Sequence, residues 1–464
     1  MTTSLFFSHP HRALAATGTW RRLAHFLIGL LFLAGAPFLA APALGAGNID
    51  PTITGSINSS VSSNTGSPRF TNALNLIAEG KYAEAYQLAR GFTNNIERRT
   101  VQWAAIYYGG DKIDPRTILR FAADAPDYAS ARTYKLRLER SITSNPTNAT
   151  DVIDLLGGTM PYTIDAQIAL AAAYLEDGQR ERGLRIARAV WTGNFLTREQ
   201  EEEVRTTFGS GFTRQDHWAR TVHLLMNDRA RGAERIMSFL SPAQKSLVNA
   251  RIAVARNSPD APRLLDRVDP AYRDHPLFHF SMAQQARRSG RLVAAVNLLN
   301  KASGPLPDAA QWWYERRSLA RKLLAARQYR AAYRAAAGYD SGPEGRVVDA
   351  NFHAGWIALS FLGDPATAIT HFKRMRSLST LASTITKSNY WLGRALTKAG
   401  DRAGAQEAFR IAARYHTTYY GQLSRYRLGD TSIDIRPLPA WRGAQPGFDA
   451  RPLVRSVRLL QANG

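Results

Sequence analysis

An all-α fold, a right-handed superhelix (solenoid) of stacked helical hairpins curling into a U or a ring, is predicted by three features of this 464-residue sequence. From Pro68 onward, runs of alanine, leucine and arginine are broken by single glycines, with little of the alternation that marks strands. Short turns recur at Gly290-Arg291, Arg327-Gln328, Gly363-Asp364 and Gly400-Asp401, at successive spacings of 37, 36 and 37. Five residues beyond each turn stands Ala295, Ala332, Ala368 or Ala405, and nine beyond stands Leu299, Ala336, Phe372 or Phe409.

Each feature has a physical reading. A glycine at the turn ends the first helix in a left-handed conformation that costs other residues free energy. The small residue at the fifth place lets the second helix approach the first closely. The residue at the ninth lies one turn further along the same face, against the next unit. One hairpin cannot bury both of its apolar faces, so neighbours must stack. The same grammar occurs earlier, at Gly80 with Ala85 and Ala89, and at Gly178 with Gly183 and Ala187. The period is similar to that of tetratricopeptide repeats, slightly longer and less regular; a generic helical bundle with chance spacing is the alternative.

Ahead of the repeats, Arg12, Arg21 and Arg22 precede the apolar run from Phe26 to Ala46, and Ala41-Pro42-Ala43 offers small residues for a cleavage site. Residues 1–43 therefore read as a secretory signal peptide, and the protein as periplasmic. Pro37 and Pro42 speak against a spanning helix, because each removes a backbone donor that lipid cannot replace; an uncleaved anchor is the alternative. Arg21-Arg22 is a weak hint of twin-arginine export. Residues 44–67, rich in Ser, Thr, Gly and Asn, read as a flexible linker. Residues 68–429 carry the superhelix and 430–464 the start of a further linker region.

Charge is the unusual part of the composition. Lys and Arg number 60 against 37 Asp and Glu, a net charge of +23, and only nine of the 60 are lysine. Such a surface attracts polyanions, although dispersed arginines also simply decorate solvated helix faces. Export removes nucleic acid from the expected partners. The absence of cysteine excludes disulfides, thiolate metal sites and thiol nucleophiles.

No catalytic, cofactor or metal residues are assigned. His275 and His279 are four apart, but Pro276 disfavours a helix through both, and no HExxH occurs. Asp216 and His217 are adjacent, so on a helix they diverge and form no dyad. Gly109-Gly110 and Gly157-Gly158 lack the Lys-Ser/Thr of a phosphate loop, and no GxSxG elbow occurs. Glu199, Glu201, Glu202 and Glu203 follow Thr197, an arrangement that reads as an N-cap with acids complementing the helix dipole. Trp312, Trp313, Tyr314, Tyr329, Tyr333 and Trp391 stand at helical spacing and read as core between repeats, with stacking on sugar rings in a groove as the alternative.

A family resemblance rests on longer stretches. Residues 181–255 hold Ala187 and Trp191 before Leu196-Thr197, then the acidic helix leading to Phe208-Gly209, then Asp216-His217-Trp218-Ala219-Arg220 and Ala250-Arg251-Ile252-Ala253. Together with Phe121 to Arg137 upstream and Tyr419-Tyr420-Gly421-Gln422-Leu423 downstream, this resembles the helical superstructure of soluble lytic murein transglycosylases, from about Pro68 to about Leu460. The resemblance implies an exported module that engages peptidoglycan, through its glycan strands or stem peptides. The family reaction is non-hydrolytic cleavage of MurNAc-GlcNAc β-1,4 bonds to 1,6-anhydro ends. It uses a catalytic domain with a Glu-Ser pair, and no such pair occurs here. The expectation is a chain inactive alone, being a fragment, a split gene product or a paralogue; a separately encoded catalytic domain or another cell-wall protein is then a further partner. At Tyr420-Gly421-Gln422 the glycine is expected to permit a close approach and the glutamine to bridge helices. The alternative function is a secreted adaptor that binds proteins in its concave groove.

Overall fold

A computed structural model describes residues 65–145, 147–430, 432, 437 and 446–463. The expected signal peptide and all but the last three residues of the expected linker lie outside the described residues. Those described are helical, with no strand among them, and none of their helices is long and apolar enough to cross a membrane. The architecture is the predicted all-α superhelix.

Its unit is the helical hairpin. Pro276–Arg288 pairs with Leu292–Lys301, Ala309–Ala325 with Tyr329–Ala337, Glu344–Ile357 with Pro365–Ser377, and Ala382–Ala399 with Arg402–Ala413. All six turn residues named from the sequence adopt a positive φ, from 55° at Arg327 to 88° at Gly400. Arg327 does so against the steric preference of a side chain. Two further turns, at Asp228 (φ 56°) and Asn257 (φ 54°), sit between the Arg214–Met226 and Ala230–Arg235 helices and between Pro242–Ala255 and Ala261–Asp266. Second helices of six residues bring these turns closer together, which hides them from a search at fixed period.

Packing follows the offsets. Ala295, Ala332, Ala368 and Ala405 are all buried, as are Leu299, Ala336, Phe372 and Phe409. The two phenylalanines lie on glycines of the preceding helix: a Cβ at Gly355 would come within 2.8 Å of the Phe372 ring, and one at Gly393 within 2.6 Å of Phe409. Trp312 and Trp313 are fully buried, with their indole N–H groups donating to Pro307 O at 3.1 Å and to Asp349 Oδ2 at 2.9 Å. Buried indoles need such partners, and the core reading holds for both.

The C-terminal end returns to the beginning. The Pro452–Gln461 helix packs on Asn95–Tyr108, and Leu459 enters the apolar cluster of Phe70, Ala73, Ala85 and Val101. Ser456 Oγ and Tyr128 Oη lie 2.9 Å apart, and Asn463 Nδ2 donates to Thr65 O at 3.0 Å. Ser67, the last residue of the expected linker, caps Pro68–Ala78 and donates from Oγ to Glu97 Oε2 at 2.6 Å.

The Tyr419–Arg427 helix begins at Thr418, whose Oγ1 accepts from Gly421 N at 3.2 Å. A Cβ on Gly421 would run into the Tyr415 carbonyl, so glycine serves close backbone approach, as expected. Gln422 is exposed and its side chain bridges no helix; Tyr420 makes the contact instead, 5.4 Å from the Tyr390 ring.

Candidate functional site: an arginine-lined cleft

Several arginines are structural. The last carbonyls of a helix have no intrahelical partner and carry the negative end of its dipole. Buried guanidinium groups fill that vacancy here. Arg220 Nη1 donates to Trp191 O at 2.8 Å, Arg251 donates to Leu225 O from Nη2 at 3.2 Å, and Arg316 Nη2 donates to Leu299 O at 3.0 Å. Each reaches back from one helix to the last turn of an earlier one. Burial lowers all three from the ordinary arginine value, Arg251 and Arg316 to about 10, which leaves them cationic at neutral pH.

Arg220 also lines a cleft of about 590 Å³ between the Arg198–Phe208, Arg214–Met226 and Ala230–Arg235 helices. Its carboxylate partner is Glu201. Oε2 of Glu201 accepts from Arg220 Nη2 at 2.9 Å and from Arg235 Nη2 at 2.8 Å, while Oε1 accepts from Arg235 Nε at 2.7 Å. Burial raises the Glu201 carboxyl; hydrogen bonds and charges from Arg235 and Arg220 outweigh it, so Glu201 ends below the usual carboxylate range. The Arg220 guanidinium lies 4.1 Å from the Trp191 ring centre. Arg229, Arg231 and Arg256 complete the cationic lining, with Asp228 as the second acid. Beside the lining residue Phe195, whose ring stacks on His223, His223 Nδ1 lies 3.0 Å from Asp308 Oδ2.

The acidic run thus does two jobs. Thr197 caps Arg198–Phe208 with Gln200 completing the box, and Glu199 is lowered by backbone N–H and the Thr197 hydroxyl, as a first-turn acid should be. Glu201 is different, a buried ion-pair anchor that the reading of the run as a capping device missed. The signal was present: Glu201, Val204 and Phe208 fall at i, i+3 and i+7, and all three are buried on one face. Glu203 faces another cleft, of about 500 Å³, together with Asp165 and Glu176. Partial burial and the Asp165 charge raise its carboxyl, but the residue is exposed, and Gln200 Nε2 holds Asp165 at 2.5 Å.

The histidines do not converge. His275 is the N-cap of Pro276–Arg288, its Nδ1 accepting from Leu277 N at 3.1 Å, while His279 lies inside that helix. Asp216 turns back to Thr213, accepting from its backbone N–H at 2.7 Å, and His217 stacks on Phe239 with ring centres 4.2 Å apart. Among the described residues no three His, Asp or Glu side chains are grouped to hold a metal ion.

Fold and cleft define a superhelical scaffold of helical hairpins that presents a cationic, ligand-sized recess. Solved structures of lytic transglycosylases share this fold. The chain is similar to the 70 kDa soluble lytic transglycosylase from Escherichia coli, with a TM-score of 0.51 and 17% identity over 85% of this chain and 62% of that one. An inactive mutant of the lytic transglycosylase Slt from Pseudomonas aeruginosa gives 0.55 and 17% identity over 78% and 58%. The 70 kDa enzyme in complex with bulgecin A gives 0.50 and 17% over 85% and 66%. The chain therefore spans less than two thirds of the length of each. No family model and no curated protein matches it.

Proposed function

We propose that this chain is the superhelical, peptidoglycan-engaging module of a periplasmic protein of the lytic transglycosylase type, and that the residues present here do not cut glycan unaided. The observation that carries this reading is the superhelix itself, which is similar in fold to lytic transglycosylase structures over 85% and 78% of this chain. Its net charge of +23 suits the free carboxylates of wall peptides. Cleavage of the MurNAc-GlcNAc bond needs a carboxylic acid to protonate the leaving oxygen. The resemblance assigns that acid to a Glu-Ser pair, which this sequence lacks.

Sedimentation with purified sacculi, followed by muropeptide analysis of the supernatant, tests both halves. The expected outcome is co-sedimentation without anhydro-muropeptides. Anhydro products from this chain alone would overturn the claim of inactivity. Failure to bind sacculi, with capture of a periplasmic protein instead, would favour the adaptor reading.

A further inference from the structure

The cleft beside Arg220 holds more positive charge than its own acids neutralise. Arg220 and Arg235 share Glu201, Arg251 reaches Asp228 at 3.2 Å, and Arg256 meets Glu234 at 2.8 Å. Arg229 and Arg231 are exposed, and among the described residues neither side chain meets a carboxylate. Arg229 lies 4.5 Å from the centre of the Phe195 ring, which is 42% exposed and also stacks on His223 at 4.7 Å.

These features together select a ligand. Two guanidinium groups without acids offer planar, forked donors that match a carboxylate bidentately. An exposed phenyl ring in the same recess favours a ligand with an aliphatic stretch next to its charge, which inorganic anions lack. The Glu201 pairs hold the adjoining wall in place, so the site does not have to be assembled on binding.

We propose that this cleft is a carboxylate-binding subsite for a short acidic peptide, and, resting on the wall-binding reading above, that the peptide is a peptidoglycan stem carrying free carboxyl groups. Arg229 and Arg231 bind the carboxylate and Phe195 packs against the neighbouring aliphatic carbons.

The experiment is calorimetric titration of the full chain with a sugar-free stem tetrapeptide, and with the same peptide amidated at its carboxyl groups. Its companions are the variants Arg229→Gln with Arg231→Gln, and Arg185→Gln as a single-charge control on an exposed helix face. The free-acid peptide is expected to bind, with a loss of about tenfold or more on amidation or in the double variant and little change in the control. Thermal melts establish that each variant is folded. Equal binding of the amidated peptide, equal weakening by Arg185→Gln, or displacement by inorganic phosphate at the peptide's own concentration overturns the proposal. Sacculus sedimentation separates the two claims. If sacculi retain the double variant as well as the wild type, the subsite falls and the wall reading stands; if sacculi retain neither while the free-acid peptide binds, the wall reading falls alone.

Discussion

Oε2 of Glu201 lies 2.9 Å from Nη2 of Arg220, in a pair whose side chains are 9% and 1% exposed. Charges removed from water to this extent are costly unless each meets the other. Removing the acid alone leaves Arg220 buried against Trp191 with one partner fewer. Glu201→Ala is expected to cost about 3 to 5 kcal/mol of stability. Glu201→Gln, which keeps an acceptor oxygen, should cost less. Urea unfolding of both variants measures this, and a Glu201→Ala variant as stable as wild type would show that water replaces the lost charge.

Asp349 gives the pH dependence. Burial raises its carboxyl, but His353, the Trp313 indole N–H and the Lys387 charge outweigh burial and bring it from 3.8 down to about 2. Arg317 Nη1 also approaches, at 3.4 Å. A depressed folded value stabilises the protein fully above the unfolded value, and that stabilisation is lost as pH falls through the folded one. Between about pH 4 and pH 2 the wild type should lose about 2 kcal/mol from this group. Asp349→Asn should lack that component and start less stable at neutral pH. Urea midpoints at half-unit pH steps report the difference, and an unchanged acid limb in the variant refutes the assignment.

Gly393 and Phe409 test the hairpin grammar. A Cβ at Gly393 would sit 2.6 Å from the Phe409 ring, so Gly393→Ala should cost about 1 to 3 kcal/mol through overpacking. Phe409→Ala should cost about 3 to 5 kcal/mol through the cavity it leaves. In the double variant the alanine methyl enters space the ring vacated, so the sum of the single effects should exceed the double. An additive cycle would mean the two positions do not touch.

These contacts show which part of the structure was legible in the sequence. The turns at Gly290, Gly363 and Gly400 and the alanines after them follow from backbone sterics and close helix approach, both of which act through residue type at fixed spacing. Asp228 and Asn257 perform the same turn with side chains that tolerate a left-handed backbone less readily, between shortened helices, so neither residue type nor period marks them. Glu201 was half legible: its place on a buried stripe is periodic, but Arg220 and Arg235 reach it from other helices. Arg251 and Arg316 look in sequence like any other arginine; only tertiary placement makes them caps on helix ends.

Leu459 joins the last described helix to the first. It is buried with Phe70 and Ala73, and side-chain hydrogen bonds between Ser456 and Tyr128 and from Asn463 to Thr65 support it across that join. Burying one leucine contributes about 1.5 to 3 kcal/mol, and a carboxylate in its place must either drag water into the cluster or leave it. Leu459→Asp should therefore detach Pro452–Gln461 and expose Asn95–Tyr108 and the Phe70 side of Pro68–Ala78 beneath it. In a stacked array each hairpin contacts mainly its neighbours, so the loss should stay local. Hydrogen exchange is expected to quicken in residues 68–108 and 452–461 and to remain unchanged in Ala309–Ala325 and Glu344–Ile357. Acceleration spread evenly along the chain would instead mean that the C-terminal helix holds the whole superhelix in one cooperative unit.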